Sequence, residues 1–128
     1  MTTYYATLLR PGKLWNPEKA VREQPFWDEH ARFMDSLFEA GAVILGGPFA
    51  DRTGSMVIVT ADNAAGVREM FRTDPWTEHD VLVVDDVKEW IIFLDARERQ
   101  KTSRTAIADE IFSRLSEGSD ADEKNKSQ

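Results

Sequence analysis

Apolar residues repeat with two different periods along most of this chain, and the order of those periods restricts the fold. Strand-like runs rich in β-branched and aromatic residues cover Tyr4–Leu9, Ala42–Leu45, Ser55–Thr60 and Val81–Leu94. Helical apolar stripes lie between the first and second runs and between the third and fourth runs. The order β-α-β-β-α-β predicts an α+β, ferredoxin-like sandwich with both helices on one face of an antiparallel sheet.

The first helix is predicted to begin near Gln24 and to end near Gly41. Pro25 suits the first helical position, and Asp28 and Glu29 complement the N-terminal dipole. At about 100° per residue, one apolar stripe contains Phe26, His30, Phe33, Met34 and Leu37. A histidine in that stripe is either a hydrogen-bonded core residue or a group directed into a cavity.

Turn-forming and helix-capping residues in the rest of the chain predict loops and a second helix. Residues 13–23 form a polar linking loop, and Asp62 caps a helix over residues 63–72. The stripe of that helix is formed by Ala64, Val67, Met70 and Phe71. Residues 74–76, Asp-Pro-Trp, terminate it. Residues 85–86 interrupt the last apolar run, which is therefore either one bulged strand or two shorter strands.

Three strand segments are apolar without alternation, which predicts that both faces of the sheet are covered. These segments are residues 56–59, 81–84 and 91–94. Two helices cover only one face, so a second copy of the sheet is the simplest cover for the other. The sequence therefore predicts a homodimer.

Composition and charge exclude several classes of protein. The chain has 128 residues and no cysteine, which removes disulfide frameworks and thiolate chemistry and favours a cytoplasmic location. A net charge of −7 argues against nucleic acid as a partner, and the N-terminal residues lack the pattern of an export signal or a membrane span. We expect one domain over residues 1–98, followed by an amphipathic helix at about 105–116 and a disordered tail.

Few residues offer chemistry, and they point to proton transfer. His30 and His79 are the only histidines and have no metal-ligand spacing, so we expect neither a metal nor a cofactor. Residues 46–48, Gly-Gly-Pro, lack the lysine and hydroxyl residue of a phosphate loop. No serine has the context of a nucleophile. General acid-base work by His30, oriented by a carboxylate, remains.

Helical geometry limits which carboxylate can orient His30. Asp35 lies about 140° around the helix from His30, and Asp28 is excluded in the same way. Asp74, in a turn after the second helix, and Asp51, between the second and third strands, both remain candidates.

Beyond these residues, the chain resembles the YCII-related family of small dimeric α+β barrel proteins over about residues 3–94. The resemblance is carried by Glu23–Phe33, by Leu37 and Gly41, by Leu45–Phe49, by Gly54 and by Thr73–Trp76. It implies dimerisation through the sheets to form a dimeric α/β barrel. It also implies a catalytic His-Asp pair formed by His30 and Asp74. Pro48, Asp51 and Trp76 are the further candidates for substrate binding.

Some relatives in this family resemble lactone isomerases, and others act in dehalogenation of chlorinated lactones. The resemblance therefore implies a class of chemistry but no particular substrate. We expect a small homodimeric enzyme of the isomerase, lyase or dehalogenase type acting on a lactone-like or carbonyl compound. The alternative is a non-catalytic, ligand-binding or regulatory dimer in which the C-terminal helix reports occupancy to a partner.

Overall fold

A computed structural model describes residues 2–101, and the chain divides after Ile91 into two units. The first unit contains four strands, three α-helices and a 3₁₀ turn at Val21–Glu23. Its strands are β1 (Tyr4–Pro11), β2 (Val43–Pro48), β3 (Ser55–Thr60) and β4 (Leu82–Trp90). Its helices are α1 (Trp27–Glu39), α2 (Ala64–Phe71) and α3 (Pro75–Glu78). The described part of the second unit contains α4 (Ala96–Lys101).

The four strands form one antiparallel sheet in the order β2-β3-β1-β4. This confirms the predicted α+β class with an antiparallel sheet and helices between its strands. In the register of β1 with β3, Tyr5 lies opposite Val59 and Thr7 opposite Val57. These four residues are buried, and they define the inner face of the sheet.

Both long helices pack against that inner face and form the core with it. Val67 and Phe71 of α2 are fully buried, as are Trp76 and Val81 after it. Phe33, Met34 and Leu37 of α1 are partly buried against the same cluster. The helical stripe predicted for α1 is therefore confirmed at these three positions. Ala64, expected in the α2 stripe, is exposed because α2 is short and contacts the core through its last turns.

The helix starts differ from prediction because local capping overrides the propensity signals. Asn63 caps α2 by accepting a hydrogen bond from the Gly66 amide at 2.7 Å, so the predicted cap at Asp62 is wrong. Pro25 lies outside α1, since Phe26 precedes the helix in a left-handed conformation with φ of 62°. The Phe26 ring stacks on His79 with centroids 3.8 Å apart, instead of joining the α1 stripe.

The last strand is continuous and bulged, which decides between the two predicted alternatives. The register of β1 with β4 shifts between Leu8 and Leu9, whose partners are Asp86 and Val84. Asp85 is the extra residue, and its carboxylate contacts Arg10 at 3.3 Å. The strand also ends at Trp90, so the expected strand over residues 91–94 is wrong; these residues are largely exposed.

The β2–β3 connection is shorter than predicted because Gly46, Gly47 and Pro48 continue β2. Gly54 closes the hairpin with φ of 150°, and a Cβ there would collide with the carbonyl oxygen of Leu9. The loop before α1 contains the short 3₁₀ turn that the polar composition did not predict.

The predicted C-terminal helix at about 105–116 and the tail lie outside the described residues. Within the described part of the chain, no helix is long and apolar enough to cross a membrane.

Candidate active site

His30 on α1 and Asp74 at the start of α3 contact each other, although 44 residues separate them. The Nδ1 atom of His30 lies 2.9 Å from Oδ1 and 3.1 Å from Oδ2 of Asp74. Asp74 is fully buried, and the His30 side chain is 12% exposed. A carboxylate can only accept hydrogen bonds, so an ionised Asp74 requires Nδ1 to carry a proton.

Local sequence explains how Asp74 reaches this position. The segment Asp-Pro-Trp was predicted to end the second helix, but it also begins α3, with Asp74 as N-cap and Pro75 in the first turn. Asp74 Oδ1 accepts a hydrogen bond from the Trp76 amide at 3.0 Å. One carboxylate therefore both caps α3 and contacts His30.

Trp76 links both partners to the start of α1. Its indole ring stacks on the His30 imidazole at a centroid distance of 3.8 Å and an interplanar angle of 6°. The indole Nε1 donates a hydrogen bond to the Pro25 carbonyl at 2.7 Å. Trp15 and Trp27 surround the same ring at centroid distances of 5.9 and 5.6 Å. This packing restricts the imidazole to one orientation.

A cavity of about 490 Å³ opens beside the imidazole. Its wall is formed by α1, by all six residues of β2, by residues of β1 and β3, and by Phe71, Trp76 and Leu82. Most lining side chains are apolar, including Leu9, Met34, Val57, Phe71 and Leu82. A volume of this size accommodates a compound with one or two rings.

The structure brings some of the predicted site residues together and separates one. His30, Pro48 and Trp76 line the cavity, and Asp74 lies directly behind His30. Asp51 does not line it; instead its carboxylate accepts hydrogen bonds from the hydroxyl and amide of Thr53 at 2.6 and 3.1 Å. These bonds lower the pKa of Asp51, the hydroxyl bond contributing most. Of the two carboxylates left open by the sequence, Asp74 is the one that contacts His30.

Sequence reasoning missed how the loop before α1 contributes to the site. Val21, in its short helical turn, lines the cavity. Buried Gln24 holds the loop, because its amide nitrogen donates to the carbonyls of Asn16 and Lys19 at 2.7 and 3.0 Å. An isolated valine in a polar segment was the available signal for Val21, whereas nothing local distinguishes Gln24 from a solvated glutamine.

Fold and site together define a small α+β protein with a buried carboxylate-imidazole contact at the wall of an apolar cavity. The family model of the YCII-related domain matches residues 10–91. The chain therefore belongs to the YCII-related family. A search of curated proteins found no significant match.

One solved structure that resembles this chain is 5-chloro-2-hydroxyhydroquinone dehydrochlorinase from Burkholderia phenoliruptrix AC1100, in complex with 2,5-dihydroxybenzoquinone. The two share 20% sequence identity with a TM-score of 0.50. The match covers 70% of this chain and 95% of that chain. At this identity, the similarity establishes a common fold.

Proposed function

We propose that this protein is an acid-base enzyme in which His30 moves a proton on a small lactone-like or related carbonyl compound. The observation that carries the proposal is the 2.9 Å contact between His30 Nδ1 and the buried Asp74 carboxylate at the wall of an apolar cavity. An imidazole held in one orientation and tautomer can act as a general acid or base. Asp74 and Trp76 are the groups that hold it.

The tautomer determines which atom reacts. With the proton on Nδ1 directed at Asp74, the lone pair of a neutral imidazole lies on Nε2. Nε2 is then the atom that accepts a proton from a ligand in the cavity. The resulting imidazolium is stabilised by the adjacent carboxylate, whose position does not have to change during the transfer.

Proton abstraction next to a carbonyl accounts for the expected reaction types. Nε2 takes the proton from the carbon beside the carbonyl, and the C–H electron pair moves into an enolate. Return of the proton to another carbon completes an isomerisation. Departure of a leaving group, such as chloride with its bonding pair, completes an elimination. Dehydrochlorination, the activity of the structural neighbour, belongs to the second type, which makes chlorinated carbonyl compounds the first substrates to test.

The proposal is tested by solvent deuterium exchange, because exchange reports proton abstraction even when no product accumulates. Lactones and cyclic ketones, charged and uncharged, with and without chlorine, are first screened for thermal stabilisation of the protein. Loss of the proton beside the carbonyl is then followed in D₂O by NMR. We expect His30→Gln to slow exchange by about 10²- to 10⁴-fold.

His79→Gln is the matched control, since His79 is exposed and does not line the cavity. Its exchange rate should stay within about twofold of wild type, as expected for a surface substitution. Equal rates in wild type and His30→Gln would exclude the mechanism. Ligands that stabilise the protein without any exchange would favour the non-catalytic binding function.

We further propose that the fold is a ferredoxin-like sandwich that forms a homodimer through the outer face of its sheet. Residues of β1 and β3 that alternate with the inner-face positions give this face an apolar surface that includes the partly exposed Ala6, Leu8 and Met56. An apolar sheet surface of this kind is typical of an interface.

Sedimentation experiments test the dimer. Leu8 and Met56 lie opposite each other on the outer face, so Leu8→Glu or Met56→Glu should give monomers. Phe38→Glu, at an exposed position of α1, should leave the dimer intact. A monomeric wild-type protein at micromolar concentration would overturn this proposal.

A further inference from the structure

The charges around the cavity restrict what it can bind. Among the described residues that line it, none is lysine or arginine. The ionisable groups in the lining are His30 and Asp35. Asp35 is exposed and contributes to the cavity lining from α1, so it lies at the solvent-facing edge of the lining, which we call the rim.

The histidine provides no net positive charge to compensate for Asp35. Any imidazolium at His30 faces the Asp74 carboxylate at 2.9 Å, so the pair has a charge of zero when His30 is protonated and −1 when it is neutral. Together with Asp35, the ionisable lining groups and Asp74 have a net charge of −1 or −2. The chain as a whole also has a net charge of −7, which disfavours the approach of an anion.

We infer that the cavity binds uncharged, ring-sized carbonyl compounds and rejects those that bear a carboxylate. This inference rests on the proposed function and narrows its substrate class. Apolar walls favour a ring, whereas an anion would lose its hydration without gaining a cation in return. Asp35 is the residue that determines the specificity, because its charge repels a ligand carboxylate at the rim.

The inference is tested by comparing two probes of nearly equal shape and different charge. Coumarin-3-carboxamide is an uncharged bicyclic lactone, and coumarin-3-carboxylate is its anionic counterpart at about pH 7.5. Equilibrium dialysis against the full-length protein, with detection of the coumarin absorbance, gives both dissociation constants without relying on turnover. We expect the carboxamide to bind at least about tenfold more tightly, the effect of one unit charge several ångströms away.

Asp35→Asn preserves the shape of the side chain and removes its charge. It should reduce the preference for the carboxamide by about three- to tenfold, through tighter binding of the carboxylate alone. Asp62→Asn makes the same change in net charge at an exposed position outside the cavity lining and should leave the preference unchanged. Equal effects of the two variants would mean that the overall charge of the protein, not the rim of the cavity, sets the preference.

The proposed class is wrong if the carboxylate binds as tightly as the carboxamide, or if neither probe binds. Such a result leaves the proton-transfer proposal standing, since that proposal is judged by deuterium exchange in His30→Gln. Conversely, the carboxamide could bind clearly more tightly while the rate of deuterium exchange is unchanged in His30→Gln. That result would support the binding selectivity and exclude proton transfer by His30.

Discussion

Trp76→Ala is expected to lower the free energy of unfolding by about 3–5 kcal/mol, the largest stability effect that we predict for a single substitution. Trp76 is 2% exposed and contacts three other aromatic rings, including the His30 imidazole. Its removal leaves a cavity and an unpaired carbonyl at Pro25. Urea denaturation followed by circular dichroism provides the measurement.

Two further variants separate packing from hydrogen bonding at Trp76. Trp76→Phe retains an aromatic ring and loses the Nε1 bond to Pro25, so we expect a smaller loss of about 1–2 kcal/mol. Phe38→Ala removes an aromatic ring that is 62% exposed and should cost about 1 kcal/mol or less. A loss in Trp76→Ala no greater than that in Phe38→Ala would contradict the central position that we assign to the indole.

Asp74→Asn is expected to lower the rate of deuterium exchange by about 10²-fold or more while the protein remains folded. Asparagine is as good a helix cap as aspartate, so the hydrogen bond from the Trp76 amide can be kept. The amide lacks the negative charge that stabilises an imidazolium, and its NH₂ group can hold the ring in the unproductive tautomer.

Asp51→Asn is the appropriate comparison, since sequence reasoning alone could not separate these two carboxylates. Asp51 is exposed and hydrogen-bonded to Thr53. The rate of deuterium exchange with Asp51→Asn should therefore stay within about twofold of the wild-type rate. Circular dichroism spectra and unfolding midpoints of both variants show whether a lower rate of deuterium exchange reflects misfolding. A wild-type rate of deuterium exchange in folded Asp74→Asn would exclude a role of the carboxylate in the mechanism.

Periodicity predicted the architecture because the large apolar residues have consistent positions over whole elements. The bounds of β3 were predicted correctly, and Phe33, Met34 and Leu37 pack on the core as the α1 stripe required. Element ends were less predictable, since a single side chain or backbone torsion determines them. Phe26 with its positive φ and Asn63 as cap are two such cases.

The site itself was only partly accessible to sequence reasoning. His30 was conspicuous as a polar residue in an apolar stripe, whereas its contact with Asp74 depends on tertiary packing across 44 residues. The stacking of Trp76 on the imidazole and the Trp76–Pro25 hydrogen bond carry no local signature at all. Residues separated by dozens of positions acquire such roles only when the helices dock on the sheet.

The hydrogen bond between the Trp76 indole and the Pro25 carbonyl connects segments that are 51 residues apart. It closes a loop of chain that contains α1, the β2–β3 hairpin and α2, and closing a loop of this length costs conformational entropy that the docked contacts must offset. A chain in which these segments are undocked has an imidazole without its carboxylate and a cavity without part of its wall. The proposed proton transfer therefore requires the docked fold, and loss of deuterium exchange at low urea concentration would report the separation of Trp76 from Pro25.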